Sequence, residues 1–194
     1  MLNTRVPQRG FNIIEILVSL AVLGVLMALG APAFSEWLQN QQIRAAGEAI
    51  VNGMQVARGE AIRRNLAVQM VVVPPATGWS VCEATVSPCD VTTMADPTLA
   101  IQSRAHEEGT SNAQIATTPG GAIAVTFSPL GSVIANFDAS PILTQVDVKN
   151  PGGGICQTES GSMRCLRIVV TGGGSVRMCD PTPTIVAPDP RACP

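Results

Sequence analysis

From Phe11 to Phe34 nearly every side chain is apolar, and the one charge inside the run, Glu15, lies close to its beginning. The portion from Ile16 to Phe34 approaches the roughly 20 apolar residues that a membrane-spanning helix needs. Further on, Ile43, Ala46, Ile50, Met54, Ala57 and Ala61 recur at spacings of three and four, while Arg44, Glu48, Asn52, Gln55 and Arg63 fall mostly off that stripe. This spacing predicts an amphipathic helix with one face laid on a sheet. Gly47, Gly53 and Gly59 interrupt it, each costing about 1 kcal/mol relative to alanine, so docking must hold the helix in place.

After Leu66 the pattern turns to short alternating or apolar runs separated by Gly, Pro, Asn and Asp. The expected strands are Ala67 to Val73, Trp79 to Cys82, Leu99 to Gln102, Ala122 to Phe127, Leu143 to Val148, Arg164 to Thr171 and Ser175 to Cys179. One long helix followed by such a series implies an α+β fold: a helix with a membrane-spanning first half and an amphipathic second half, packed on a C-terminal antiparallel β-sheet domain. The polar segment from Cys82 to Thr118, with Pro88, Pro97 and Glu107-Glu108, is expected to be a loop with little regular structure, suited to partner contacts.

Glu15 is costly in a membrane-length segment, and such a residue points to a function and a specific partner. An amine fits. Cleavage after Gly10 would place the new amino group of Phe11 one helical turn from Glu15, on the same chain or on a packed neighbour. An ordinary secretory signal, with Arg5 and Arg9 before the apolar run and Ala31-Pro32-Ala33 as its cleavage site, has no use for that carboxylate. A plain membrane anchor has none either.

The arrangement Arg9-Gly10-Phe11-Asn12-Ile13-Ile14-Glu15 resembles the type IV pilin and pseudopilin signal, although Asn12 and Ile13 replace the more usual Thr and Leu. The resemblance implies a leader over residues 1–10, cleavage between Gly10 and Phe11 by a prepilin peptidase, N-methylation of Phe11, and Glu15 as the assembly residue. It also implies that residues 11–36 form a transmembrane and filament-core helix, that Gly24 and Pro32 bound a stretch able to unwind on assembly, and that residues 37–194 form a periplasmic domain.

Several further strings narrow the likeness. Val56-Ala57-Arg58-Gly59-Glu60-Ala61-Ile62-Arg63-Arg64-Asn65, Phe127-Ser128-Pro129-Leu130-Gly131, Leu166-Arg167-Ile168-Val169-Val170 and the ending from Cys179-Asp180-Pro181 to Asp189-Pro190-Arg191-Ala192-Cys193 resemble the GspH/FimT family of minor pilins and pseudopilins. The ending is closer to the FimT/FimU branch. The expected role is that of a minor pilin priming type IV pilus assembly near the tip. Its implied partners are other minor pilins, the major pilin, the inner-membrane assembly platform, the prepilin peptidase and, before assembly, membrane lipid. The alternatives are a DNA-binding minor pilin for transformation and a minor pseudopilin of type II secretion. Relatives that bind DNA carry a Gly-Arg-x-Arg turn, where this chain reads Gly174-Ser175-Val176-Arg177. With the first arginine missing, Arg167, Arg177 and Arg191 are the remaining DNA-contact candidates, on a hairpin face that otherwise reads as solvated local ion pairs.

Six cysteines in an exported chain point to disulfides. Six allow 15 connectivities. The near-neighbour scheme is favoured: Cys82 with Cys89, Cys156 with Cys165, and Cys179 with Cys193, the last pinning the Pro-rich tail onto the domain. No C-x-x-C occurs, and the only histidine, His106, is far in sequence from each pair, so no metal site is expected.

The formal net charge of −2 becomes more negative once a leader with Arg5 and Arg9 is removed, and there are four Phe, two Trp and no Tyr. Such a chain is a poor general nucleic-acid binder. His106 among Glu107 and Glu108 reads as a surface residue, and neither glycine triplet is followed by the Lys-Ser/Thr of a phosphate loop. Neither catalysis nor a cofactor is expected.

Overall fold

The computed structural model describes residues 12–84 and 100–194. One helix, α1 (Ile13–Arg64), is followed by nine strands: β1 (Val68–Val72), β2 (Trp79–Glu83), β3 (Ala100–Arg104), β4 (Gln114–Thr118), β5 (Ala124–Phe127), β6 (Val133–Ile134), β7 (Gln145–Lys149), β8 (Leu166–Val170) and β9 (Val176–Cys179). The chain separates into two compact units at Trp37/Leu38.

In the first unit α1 is apolar on all sides. It runs unbroken through Gly24, Gly30 and Pro32, although proline has no N–H to return to the preceding turn.

In the second unit, α1 lies against two antiparallel sheets with strand orders β3-β2-β1-β5-β6 and β4-β7-β8-β9. The six stripe residues Ile43, Ala46, Ile50, Met54, Ala57 and Ala61 are fully buried, in one core with Val68, Met70, Trp79, Phe127, Val146 and Ile168. The glycines show how close the approach is. A Cβ at Gly47 would lie 2.8 Å from Met178 Sδ on the second sheet, and one at Gly53 would lie 2.8 Å from Met70 Cε and 2.9 Å from Trp79 Cδ2 on the first. At Gly59 nothing lies within 4 Å. The helix ends at Asn65, whose left-handed φ of 55° turns the chain into β1.

Every residue of β1 is buried. Val68, Met70 and Val72 join the helix core, while Val71 packs with Cys82 and Ala124 in a smaller cluster. Gln69, between them, donates through Nε2 to Thr126 Oγ1 (3.1 Å), which donates to Asn136 Oδ1 (2.8 Å). The Asn136 amide in turn donates to the carbonyls of Ala124, Ser140 and Pro141. These bonds let polar groups be buried beside β5 without an uncompensated desolvation cost.

The sheets are joined at a second place. Arg58 Nε donates to Gly131 O (2.9 Å) in the β5–β6 turn, and the Val133 N–H donates to Gly172 O (2.9 Å) in the β8–β9 turn. Gly131 and Gly174 have φ of 78° and 77°, and a Cβ on Gly174 would collide with the Gly131 carbonyl. Thus Arg58, the Ser-Pro-Leu-Gly turn and the glycine triplet, three separate motifs in the sequence, form one junction.

The described part of the segment expected to be a loop over 82–118 contains regular structure. β3, where a strand was expected at Leu99 to Gln102, pairs with β2, and β4, which was not expected, pairs with β7. β4 is inconspicuous because, of its five residues, only Ile115 is buried. The two-residue β6 was also not expected; it is defined by pairing with β5. His106 is half-buried, and its Nδ1 accepts from the Thr77 N–H (3.1 Å), so it helps hold the β1–β2 turn instead of standing in solvent.

The two glycine environments give opposite expectations. Gly59→Ala stabilises the domain by up to about 1 kcal/mol through helix propensity, whereas Gly53→Ala destabilises it by about 1–3 kcal/mol because the indole ring cannot yield cheaply. Denaturant unfolding of the two variants checks this; shifts of the same sign would contradict the packing account.

Candidate functional site

Two features carry the candidate chemistry: the apolar half of α1 and the β8–β9 hairpin with the tail.

Glu15 sits in the first turn of α1. Its backbone N–H donates to Asn12 O (3.0 Å), and its own carbonyl accepts from Ser19 Oγ (2.7 Å). A carboxylate is favourably placed near a helix N-terminus, where backbone N–H groups point outward. Among the described residues no side chain pairs with the Glu15 carboxylate. Around and beyond it, Ile13, Leu17, Leu20, Leu26 and Leu29 are largely exposed. The helix is long and apolar enough to cross a membrane, and none of its most apolar stretch is buried among the described residues. A helix apolar all round needs an apolar environment, supplied by lipid or by other helices. Phe34 and Trp37 stack near the end of this stretch, with ring centroids 5.8 Å apart. Gly10 and Phe11, the expected cleavage and methylation residues, lie outside the described residues. Gly24 and Pro32 both lie within continuous helix.

Cys156 is bonded to Cys165, and Cys179 to Cys193. Cys82 is also disulfide-bonded; Cys89 lies outside the described residues. The Cys179–Cys193 bond returns the tail to β9, where the Asp180 N–H donates to Arg191 O (2.8 Å).

Arg167 and Arg177 share a face of the hairpin, because Arg167 is opposite Cys179 and Arg177 is opposite Val169. The face is not an open positive surface. Asp147 on β7 stands directly opposite Arg167, and Arg167 Nε donates to its Oδ1 at 2.7 Å. Arg191 forks onto its neighbour Asp189, with Nε to Oδ1 at 3.2 Å and Nη2 to Oδ2 at 2.8 Å. Those hydrogen bonds hold the Asp189 carboxyl below the usual carboxylate range and push the Arg191 guanidinium up. Arg177 alone of the three is exposed with no ion pair among the described residues. Register thus explains the charge cancellation at Arg167, and a two-residue spacing explains it at Arg191. The Asp147–Arg167 pair was not anticipated from the sequence, and it becomes legible only when β7 and β8 are aligned.

The family described as type II transport protein GspH matches residues 46–174, well over half of the chain. Two crystal structures of the type IV minor pilin FimU from Pseudomonas aeruginosa are similar. One has a TM-score of 0.52 at 12% identity, over 75% of this chain and 96% of that one; the other has 0.50 at 13%, over 71% and 96%. At such identities the likeness shows the fold alone. No curated protein matches.

If the aspartates neutralise the hairpin, duplex DNA binding by the chain in detergent falls with salt at a log–log slope no steeper than about −1, one phosphate contact through Arg177. Asp147→Asn with Asp189→Asn steepens it toward about −3. A slope near −3 in the wild type would show that the arginines are available despite their partners.

Proposed function

The chain belongs to the GspH family of pilin-like proteins, and on that premise we propose that it is a minor pilin of a type IV pilus, taking part in priming of assembly and in formation of the tip. The carrying observation is the Glu15 carboxylate, without a side-chain partner among the described residues, in the first turn of a helix whose apolar surface the other described residues leave uncovered. Burying that helix among others leaves a carboxylate in an apolar medium, and a cation at the same depth offsets the cost while keeping the carboxylate charged. The amino terminus of Phe11, released by cleavage after Gly10 and methylated, is that cation. Inserted first as a single-pass inner-membrane protein with its domain in the periplasm, the chain is passed to the assembly platform and to neighbouring pilins through α1. Gly24 and Pro32 are the positions where the helix opens as it packs. The tail pinned by Cys179–Cys193 supports the FimU-like branch.

The description of the matching family, a type II transport protein, favours a second reading as a minor pseudopilin. The two differ in what fails when the protein is absent: pili in the first case, protein export with pili intact in the second. DNA uptake is the less supported alternative, because Asp147 and Asp189 occupy two of its three arginines.

Glu15→Ala is expected to leave membrane insertion intact and to reduce incorporation into sheared filaments about 70-fold, the equivalent of the roughly 2.5 kcal/mol low-end cost of the intramembrane charge it leaves unpaired at Phe11. Gly10→Ala is expected to leave an uncleaved precursor on a gel. Normal incorporation of the first variant would sink the role of Glu15, and normal processing of the second would reject the leader.

A further inference from the structure

Strand β9 is an outer edge of the second sheet, paired along its length with β8 on one side only among the described residues. Two hydrogen bonds fix which of its backbone groups face outward. The Thr171 N–H donates to Ser175 O (3.0 Å), which turns Ser175 toward β8, and the Asp180 N–H donates to Arg191 O (2.8 Å) in the tail, on the opposite side. Successive residues of a strand present their N–H and C=O groups to alternate sides. Arg177 and Cys179 therefore bond β8, while the N–H and C=O groups of Val176 and Met178 point away from it and have no partner among the described residues. The lane beside β9 is in use at one end, where Ala192, held by Cys179–Cys193, bridges Asp180. At the other end the chain turns at Gly174, whose N–H donates to Thr171 O (2.8 Å). Between them an open slot two residues long remains. On one face Val176 and Met178 are half-buried against the core, and Met178 Sδ lies close beside Gly47 of α1. On the other face Arg177 is exposed without an ion pair among the described residues.

We infer that this slot takes a short extended segment of a partner protein, added antiparallel to β9, with an acidic residue opposite Arg177 and an apolar residue on each side of it. The backbone of the two apolar residues bonds the outward groups of Val176 and Met178, and such main-chain bonds supply the attachment in strand addition. The position between two hydrogen-bonded pairs brings opposing residues closest, with Cα atoms about 4.5 Å apart. A carboxylate there meets the one guanidinium of the hairpin and tail that is still unpaired, since Arg167 and Arg191 already have Asp147 and Asp189. The flanking residues point to the face of Val176 and Met178 and widen the apolar cover over the core. The edge already accepts backbone from the tail at Asp180, and the tail and the turn limit any addition to a short segment, so the sheet cannot extend without end. A second copy of β9 fits badly, because pairing about the same position sets Arg177 against Arg177. The slot depends on sheet geometry alone and not on what surrounds the apolar half of α1.

The test uses the full chain in detergent and the capped peptide acetyl-Val-Glu-Val-Thr-amide, read by titration and by amide hydrogen exchange. With peptide at about ten times its Kd, exchange of the Val176 and Met178 amides is expected to slow about tenfold, with the Arg177 amide, bonded to β8, as the internal reference. A peptide N-methylated at both valines is expected to bind at least about fivefold more weakly, having lost two main-chain donors. Arg177→Glu, at an exposed position, is expected to weaken the glutamate peptide about threefold or more, and a peptide with lysine in place of glutamate is expected to recover that loss. Binding that leaves the Val176 and Met178 amides unprotected would put the peptide elsewhere and overturn the slot, as would no binding at millimolar peptide. Protection of those amides that appears without peptide as the chain is concentrated would make a second copy the occupant and overturn the foreign segment. Binding indifferent to Arg177→Glu would overturn the acidic residue assigned to the partner.

Discussion

The domain depends on how near a single helix can come to two sheets. At Gly47 the backbone of α1 meets the side chains of β8 and β9, and at Gly53 it meets Met70 and the Trp79 ring. A methyl group at either place would have to displace a neighbour. The six-residue apolar stripe supplies the burial, but the missing Cβ atoms set its distance, and close contact is where dispersion forces contribute most. A helix weakened locally by glycine is thereby made dependent on tertiary contact. Its second half has its reason to be helical in the sheets, whereas its first half has its reason in an apolar environment that the described residues do not provide.

Much of the architecture was readable from spacing, because each readable element repeats a pattern several times. Ile43 through Ala61 present six apolar positions at helical intervals, and all six are buried. Strands β1, β5, β7 and β8 bring apolar or alternating runs long enough to be seen. What escaped has few core contacts or is held by distant partners. β4 buries only Ile115, and β6 is two residues whose place is fixed by β5 and by the carbonyl of Gly172. The bond from Arg58 to Gly131 spans 73 positions, and no local pattern announces such a contact.

The charged residues teach a related lesson. Arg167, Arg177 and Arg191 read as a possible cluster when counted along the chain. Strand register sets Asp147 across from Arg167, and the turn before the final cysteine sets Asp189 under Arg191. Count alone leaves a positive face open beside the reading of local ion pairs, and geometry gives the latter, with most of the charge cancelled at short range. Glu15 is the reverse case, a single charge whose significance comes from having so little polar chemistry around it.

The junction of Gly131 and Gly174 divides the β8–β9 turn into unequal parts. Gly174 is fixed by contact with a carbonyl of the other sheet, whereas Gly172 has nothing within 4 Å of where a side chain would begin and Gly173 has only the Thr171 hydroxyl at that limit. The hairpin tip can thus acquire new side chains at two adjacent positions without loosening the seam between the sheets, and at the third it cannot. In terms of engineering, this turn is a display site with two open positions and one immovable edge.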